Sequence, residues 1–260
     1  MAAPSTAPRL FVAAERLQPP EPVVLVGAEH HYLTRVLRLR VGDAVVLLDG
    51  QGRQCPAKVV KVDGERVALH CESATQATTS GPELVLLCGL LKGDKQDFVI
   101  QKATELGAHA VVPVSCQRSV PQLEKERADK RQQRWTRIAL AAAQQCRRPD
   151  VPQVAGLTPF AEAIAPAEAA STLSLLLYEG LAPPLHTLLP PERNLETPQA
   201  WAEVRLLIGP EGGFTDAEVA AAVAAGFAPI SLGPRVLRAE TAVVAALAVL
   251  QYALAAGSPP

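Results

Sequence analysis

The sequence lacks the motifs that identify several common classes of protein. None of its five cysteines forms a C-x-x-C pair, and no histidine lies at a spacing that would complete a zinc site. Because the cysteines are odd in number and widely spaced, we expect reduced thiols, a cytoplasmic location and no bound metal. Neither G-x-G-x-x-G nor G-x-x-x-x-G-K-[ST] occurs, so no dinucleotide fingerprint or P-loop is present.

Long apolar segments are also missing. The longest run near the C-terminus, Ala242 to Leu250, has about half the length of a membrane span. Met1 to Arg16 contains prolines and no sustained apolar stretch, which argues against a secretory signal. We therefore expect a soluble protein with no membrane association. With 260 residues, the chain can form one large or two modest domains.

The net charge of −1 does not by itself indicate a nucleic-acid partner, but the charges are unevenly distributed. Residues 92–148 hold 12 Lys and Arg against 6 Asp and Glu, whereas residues 149–260 hold 4 against 11. A face that binds a polyanion needs such an asymmetry, although a solvated helix face would give it equally well.

Two apolar runs near the C-terminus, Val204–Gly213 and Ile230–Thr241, each meet glycine and proline abruptly, as buried strands do where tight loops follow. Between them, Thr215 and Glu218 form a capping-box pattern before an alanine-rich run that stops at Gly226. A strand, a crossover helix and a second strand predict parallel neighbours whose loops emerge at one sheet edge. Glycines there would let a ligand approach the backbone, so the pattern predicts a cofactor site, with ordinary turns as the alternative.

The motifs Leu207–Phe214 and Leu232–Ala242 together resemble the signature of the RsmE family, the 16S ribosomal RNA uracil-N3 methyltransferases of the SPOUT superfamily. The resemblance implies an α/β fold with a C-terminal SPOUT-type parallel sheet, a deep trefoil knot and a homodimer. It also implies S-adenosylmethionine as the methyl donor and 16S rRNA, within the small ribosomal subunit, as the partner. The cofactor-binding residues that it implies are Leu177, Tyr178, Glu179, Ile208, Gly209, Pro210, Glu211, Gly212, Leu232, Gly233, Leu237 and Thr241.

Two arginines of the second motif are the candidate catalytic residues. Methylation of uracil N3 requires loss of its proton, and an arginine fork can stabilise the resulting negative charge or hold the carbonyl groups. Arg238 is the first candidate and Arg235 the second. The alternative for both is a salt bridge with Glu240 or Glu211, and no general base can be assigned.

The N-terminal part of the chain predicts a small antiparallel β-barrel. Short apolar runs at 23–26, 44–48, 57–62 and 66–69 alternate with aspartate–glycine turns, which is typical of hairpins. A short helix is expected over His30–Arg38. Together with Val41-Gly42-Asp43, this segment resembles the PUA-like RNA-binding barrel of the family. Its basic side chains are candidate RNA contacts, or else a hydrated basic turn: Arg35, Arg38 and Arg40.

We expect a PUA-like domain over residues 1–73, a linker over 74–82 and the methyltransferase domain over 83–260. After the linker, the apolar run Leu84–Leu91 predicts a strand that is buried on both faces. The side chains that follow the first two strands of this domain are further candidate RNA contacts: Lys92, Lys95 and Arg118. A long helix is expected over Gln122–Cys146. Gln117 and Gln144 stand where the family usually has glutamate, which puts a carboxylate role there in doubt.

The last predicted helix, Ala239 to about Ala255, is apolar almost all round. Such a helix must be buried by its own domain or by a partner subunit, which agrees with a homodimer. Two other functions remain open at this point. One is a SPOUT methyltransferase that acts on another RNA base or a ribose 2′-hydroxyl, and the other is a non-catalytic RNA-binding assembly factor.

Overall fold

A computed structural model describes residues 7–17, 22–77, 81–119, 125–167, 171–188 and 201–255. These residues form two compact units. The first comprises residues 7–77 with Ala143–Val151, and the second comprises residues 81–142 with 152–255. The inclusion of Ala143–Val151 in the first unit was not anticipated from the sequence.

The first unit is a six-stranded sheet in the order β1-β3-β4-β5-β2, with β6 paired to β4. Its strands are β1 (Arg9–Phe11), β2 (Val23–Val26), β3 (Ala44–Leu48), β4 (Arg53–Val62), β5 (Arg66–Cys71) and β6 (Thr75–Gln76). The predicted hairpins are confirmed, because β4 pairs antiparallel with both β3 and β5. The β1–β3 pair is parallel, however, so the sheet is mixed and not purely antiparallel. Alternate residues of β4 and β5 point into one apolar core that includes Leu25, Leu47 and Leu69.

The predicted helix over His30–Arg38 begins and ends earlier in the chain. Helix α1 covers Gly27–His31, and a π-helical turn over Tyr32–Val36 follows it. The backbone then leaves the helix, and Arg38 has φ = 55°. Because Arg38 lies beyond the helix, the spacing argument that placed it beside Arg35 does not hold.

A segment from the middle of the chain completes the first unit. The Val151 amide donates to the Gly50 carbonyl at 2.9 Å, next to the β3–β4 turn. The Arg9 guanidinium donates to the Arg147 carbonyl at 2.6 Å, and Arg147 itself has φ = 63°. These long-range contacts hold residues 147–151 against the N-terminal sheet.

The second unit is a seven-stranded parallel sheet in the order β10-β8-β7-β12-β11-β13, with β9 paired to β8. Its strands are β7 (Glu83–Gly89), β8 (Ala110–Ser115), β9 (Gln153–Val154), β10 (Thr158–Pro159), β11 (Thr172–Leu177), β12 (Glu203–Ile208) and β13 (Ala228–Ile230). The expectation that β12 and β13 are direct neighbours is wrong, because β11 pairs with both and lies between them. All three strands run parallel, so the loops that follow them still emerge at one edge.

Helices cover this sheet. They are α2 (Asp94–Glu105), α3 (Lys125–Cys146), α4 (Phe160–Ala163), α5 (Asp216–Ala224) and α6 (Ala239–Ala255). Both halves of the predicted Thr215–Glu218 capping box are present at the start of α5. Residues 122–124, where the long helix was expected to begin, lie outside the described part of the chain. Within that part, no helix is both long and apolar enough to cross a membrane.

Candidate functional site

A cavity of about 610 Å³ opens at the carboxyl edge of the sheet, where the chain leaves β11, β12 and β13. Open α/β sheets bind ligands at this edge, and the volume lies within the range of small-molecule sites. Most of the cavity wall comes from three loops: residues 177–182 after β11, residues 208–214 after β12, and residues 231–239 after β13. Glu179, Gly209 and Gly233 thus line a single cavity, although more than 50 residues of sequence separate the first from the last.

Two glycines show why the loops need residues without a β-carbon. A β-carbon on Gly89, at the end of β7, would lie 2.4 Å from the Pro210 nitrogen, so the two backbones pass too close for any side chain. Gly233 has φ = 121°, and a β-carbon there would meet no protein atom within 4 Å. Its backbone therefore faces open space in the cavity wall.

The residues expected to bind a cofactor are placed as follows. Ten of the twelve line the cavity: Leu177, Tyr178, Glu179, Ile208, Gly209, Pro210, Glu211, Leu232, Gly233 and Leu237. Two do not. Gly212 faces Arg118 on the other side of the loop, and Thr241 is exposed on α6.

Arg235 and Arg238, the candidate catalytic residues, also line the cavity and are exposed. Among the described residues, neither guanidinium forms a hydrogen bond or an ion pair. The alternative salt bridges with Glu211 and Glu240 are not formed, because both carboxylates face Lys95 instead. The two arginines are therefore free to meet a substrate.

Lys95 and Glu211 join the loop after β7 to the loop after β12. The Lys95 ammonium lies 3.2 Å from Glu211 Oε1 and 3.8 Å from Glu240 Oε2. The backbone amide of Lys92 also donates to Glu211 Oε1 at 3.2 Å. Partial burial acts to raise the pKa of Glu211, but the hydrogen bonds from Lys92, from its own amide and from Lys95 outweigh it and lower that pKa.

Arg118, a candidate RNA contact, binds the loop after β12. Its guanidinium donates to the carbonyls of Gly212 and Phe214 at 3.1 and 3.2 Å. Next to it, the backbone amide of Gln117 donates to Glu218 Oε1 at 2.8 Å. Since the other oxygen of Glu218 closes the capping box, one carboxylate connects the end of β8 to the start of α5. The Gln117 side chain itself is exposed.

Several residues of the cavity wall were missed from the sequence. Phe214 lies under the glycine loop and packs edge-on against Phe160 with ring centroids 5.9 Å apart. Pro184 also lines the cavity, in a stretch where Pro183 precedes it. The Leu185 amide there donates to the Ser231 carbonyl, and the Ser231 amide donates to the Pro183 carbonyl. Prolines accept hydrogen bonds through their carbonyls, so they do not prevent this strand-like pairing.

The remaining basic candidates are exposed. Lys92 carries its side chain into solvent, and so do Arg35, Arg38 and Arg40 of the first unit. No ion pair holds any of these four side chains within the described ranges. No cluster of three His, Cys, Asp or Glu side chains that could hold a metal ion occurs there either.

Comparison with known proteins also finds two domains in the chain. Residues 79–251 match the model of an RNA methyltransferase domain, and residues 26–70 match that of an RNA methyltransferase PUA domain. A ribosomal RNA small subunit methyltransferase E from Synechocystis is 35% identical over 246 residues, which cover 95% of this chain and 78% of that protein. The protein of the same name from Bacillus subtilis is 31% identical, with 88% and 89% of the two chains covered.

A solved structure agrees with the sequence relatives. The ribosomal RNA small subunit methyltransferase E from Neisseria gonorrhoeae, bound to S-adenosyl methionine, is similar with a TM-score of 0.77 and 27% identity. The match covers 95% of this chain and 97% of that one. The match therefore includes both the parallel sheet and the mixed N-terminal sheet. The chain belongs to the RNA methyltransferase family whose curated members are the ribosomal RNA small subunit methyltransferases E.

Proposed function

We propose that the protein transfers a methyl group from S-adenosylmethionine to N3 of a specific uridine in 16S ribosomal RNA of the small subunit. The observation that carries this proposal is the single cavity lined by the loops after β11, β12 and β13, in a chain of this family. The relative from Neisseria gonorrhoeae was solved with S-adenosyl methionine bound, which supports the choice of cofactor.

The cavity fits this cofactor in size and chemistry. A volume of about 610 Å³ is sufficient for a nucleoside with an amino-acid arm. The Gly233 amide already donates to Ser231 Oγ, but among the described residues the Gly233 carbonyl accepts only from that hydroxyl and keeps a second lone pair for a ligand. Gly209 brings backbone into the cavity wall, and apolar side chains such as Ile208, Leu232 and Leu237 can cover an adenine ring. When bound, S-adenosylmethionine supplies an electrophilic methyl group on a sulfonium centre.

The two cavity arginines would act on the uracil. Arg238 presents planar donors that can hold the carbonyl oxygens of the base and stabilise the negative charge that N3 carries after losing its proton. Arg235 would serve as a second donor. Glu211 is a poor acceptor for that proton because three hydrogen bonds already stabilise its carboxylate.

RNA would be held mainly by the first unit. Three exposed arginines, Arg35, Arg38 and Arg40, lie at or just after the π-helical turn, and the match to an RNA methyltransferase PUA domain includes this region. Lys92 would add a phosphate contact near the cavity. In this division, residues 1–73 bind RNA and 83–260 hold the cofactor and catalyse transfer. Within the expected linker 74–82, Thr75–Gln76 pairs with β4 of the first unit, and Ala143–Val151 also belongs to that unit.

We also propose a homodimer in the cytoplasm and a trefoil knot formed by the cavity loops. Helix α6 buries Val243, Leu247 and Leu250 against its own unit but exposes 44% of Val249 and 82% of Tyr252. An apolar helix face of this kind is suited to a second copy of the chain. Light scattering at micromolar concentration is expected to give the mass of a dimer, and a stable monomer would contradict this.

The direct test uses labelled methyl donor and small ribosomal subunits that lack the modification. Label on N3 of one uridine, located by digestion and mass spectrometry, is the expected result. Label on another base or on a ribose 2′-hydroxyl would assign a different methyltransferase activity. Absence of label from both subunits and naked 16S rRNA would favour a non-catalytic assembly factor. Arg238→Ala, at equal concentration, is the control for contaminating activity.

A further inference from the structure

Lys95 has a different environment from the other basic residues that follow the sheet strands. Its ammonium lies between two carboxylates, at 3.2 Å from Glu211 Oε1 and 3.8 Å from Glu240 Oε2. These carboxylates belong to different elements, since Glu211 lies in the loop after β12 and Glu240 in the first turn of α6. Lys95 itself lines the cavity from the first turn of α2.

The carboxylate of Glu240 has fewer other partners than that of Glu211, so it depends more on the Lys95 cation to offset the cost of burial. Glu240 Oε2 is buried and has no hydrogen-bond partner in the part of the chain that the structure describes. Glu211 Oε1, by contrast, accepts from the Lys92 amide as well as from Lys95. A buried carboxylate oxygen without a partner is unfavourable, and a cation at ion-pair distance offsets part of that cost.

We propose that Lys95 is a positioning residue that holds the loop after β12 and the start of α6 in register, and that it does not contact RNA. This inference rests on the proposed cofactor site. With Lys95 present, two carboxylates share one positive charge. Without it, Glu211 and Glu240 repel each other across the cavity wall, and the loop that carries Gly209 and Pro210 moves away from the segment that carries Arg238.

The experiment is a double-mutant cycle on the full chain with Lys95→Met, Glu240→Gln and the combined variant. Calorimetry with S-adenosylmethionine and with S-adenosylhomocysteine gives cofactor affinity without any RNA. We expect Lys95→Met to weaken both affinities about tenfold, which is typical of losing a hydrogen-bonded charge partner. The combined variant should recover most of the loss, because removing the second carboxylate removes the repulsion.

Two further variants control for charge and folding. Lys95→Arg keeps the cation and should bind cofactor within about threefold of wild type. Lys102→Met removes a lysine from the same helix whose partner is Glu105 at 2.8 Å, away from the cavity, and should leave binding unchanged. Thermal melting of each variant shows whether it is folded. If Lys95→Met does not fold, Lys95→Gln takes its place in the cycle with Glu240→Gln and the combined variant.

The outcomes separate this inference from the proposed function. Unchanged cofactor affinity in Lys95→Met overturns the inference. A defect confined to the KM for RNA, with a reduced salt dependence and no recovery in the combined variant, also overturns it and makes Lys95 a phosphate contact. Failure of the wild-type chain to bind either compound would instead reject the cofactor site itself.

Discussion

The guanidinium of Arg118 donates to the carbonyl of Gly212 at 3.1 Å, and the Arg118 β-carbon lies 3.0 Å from the position that a β-carbon on Gly212 would occupy. Arg118 follows β8, whereas Gly212 lies in the loop after β12, so the two residues fix one loop against the other. Arg118, a candidate RNA contact from its sequence position, thus also holds in place the loop after β12, which lines the cavity.

Arg118→Ala should therefore affect the cavity more than RNA binding. The variant loses two charge-assisted hydrogen bonds at an exposed site, so we expect about 1 kcal/mol of lost stability and a several-fold weaker cofactor affinity. Chemical denaturation and calorimetry measure the two effects. Lys92→Ala is the comparison, because its exposed side chain should change only RNA affinity and its salt dependence. Equal cofactor affinity in Arg118→Ala and wild type would contradict the assignment.

Arg238→Ala tests the chemical step. Its side chain lines the cavity without an ion-pair partner in the described residues, so its removal should leave the fold and the cofactor affinity largely intact. We expect methyl transfer to fall at least about 100-fold, as is typical when a donor that stabilises developing charge is lost. Single-turnover kinetics at saturating cofactor and RNA give the rate. Turnover close to the wild-type value would remove Arg238 from the mechanism.

Local signals in the sequence were sufficient to predict much of the fold. The Thr215–Glu218 capping box and the apolar runs that stop at Gly209 and at Gly226 depend on neighbouring residues, and they located β12 and α5 to within a residue or two. The insertion of β11 between β12 and β13 depends on pairing across more than 30 residues of sequence, which periodicity cannot specify.

The sequence predicted the loops that line the cavity, but it did not predict the contacts that support them. Glycine and proline at strand ends identified the loops after β12 and β13, whereas the roles of Lys95 and Arg118 depend on partners about 90 to 145 residues away. Their position after a strand in the sequence was compatible both with an RNA contact and with a contact that supports the cavity loops. The π-helical turn that contains Arg35 and ends before Arg38 likewise has no simple sequence signature.

Thr215→Ala should destabilise the second unit by about 1 kcal/mol, because its hydroxyl accepts from the Glu218 amide at the start of α5. The matched control is Thr136→Ala on α3. That hydroxyl only donates to the Gln132 carbonyl within the helix, so its loss should change stability by less than about 0.5 kcal/mol. Urea denaturation of both variants measures the difference. Equal stability losses would indicate that the cap is not stabilising.

Glu211 should make stability depend on pH in the acid range. Its folded-state pKa is lowered from the ordinary value of 4.5, so its contribution is present above pH 4.5 and is lost as the pH falls through the folded-state pKa. Glu211→Gln should therefore melt at a lower temperature than wild type at pH 7. This difference in melting temperature should become smaller below pH 4.5. Melting curves from pH 7 to pH 3 test this. A gap that stays constant with pH would show that the carboxylate is not stabilised in the folded state.

Four of the five thiols should be unreactive in the native protein. Cys55, Cys71, Cys88 and Cys116 are buried, and desolvation raises the pKa of each, to about 12 for Cys71 and Cys116. With a disulfide reagent at pH 8, we expect at most the half-buried Cys146 to react quickly, and all five to react in denaturant. Rapid reaction of several native thiols would contradict the packing of both units.

The central claim is that the three loops form one cofactor-binding cavity, and calorimetry on two glycine variants tests it most directly. Gly233 and Gly226 both have positive φ, at 121° and 92°, and a β-carbon on either would meet no atom within 4 Å, but only Gly233 lines the cavity. Gly233→Ala and Gly226→Ala should therefore introduce similar backbone strain. We expect S-adenosylmethionine to bind wild type and Gly226→Ala with similar affinity, and Gly233→Ala at least about tenfold more weakly. Absence of binding heat with wild type, or equal affinity in all three proteins, would contradict the claim.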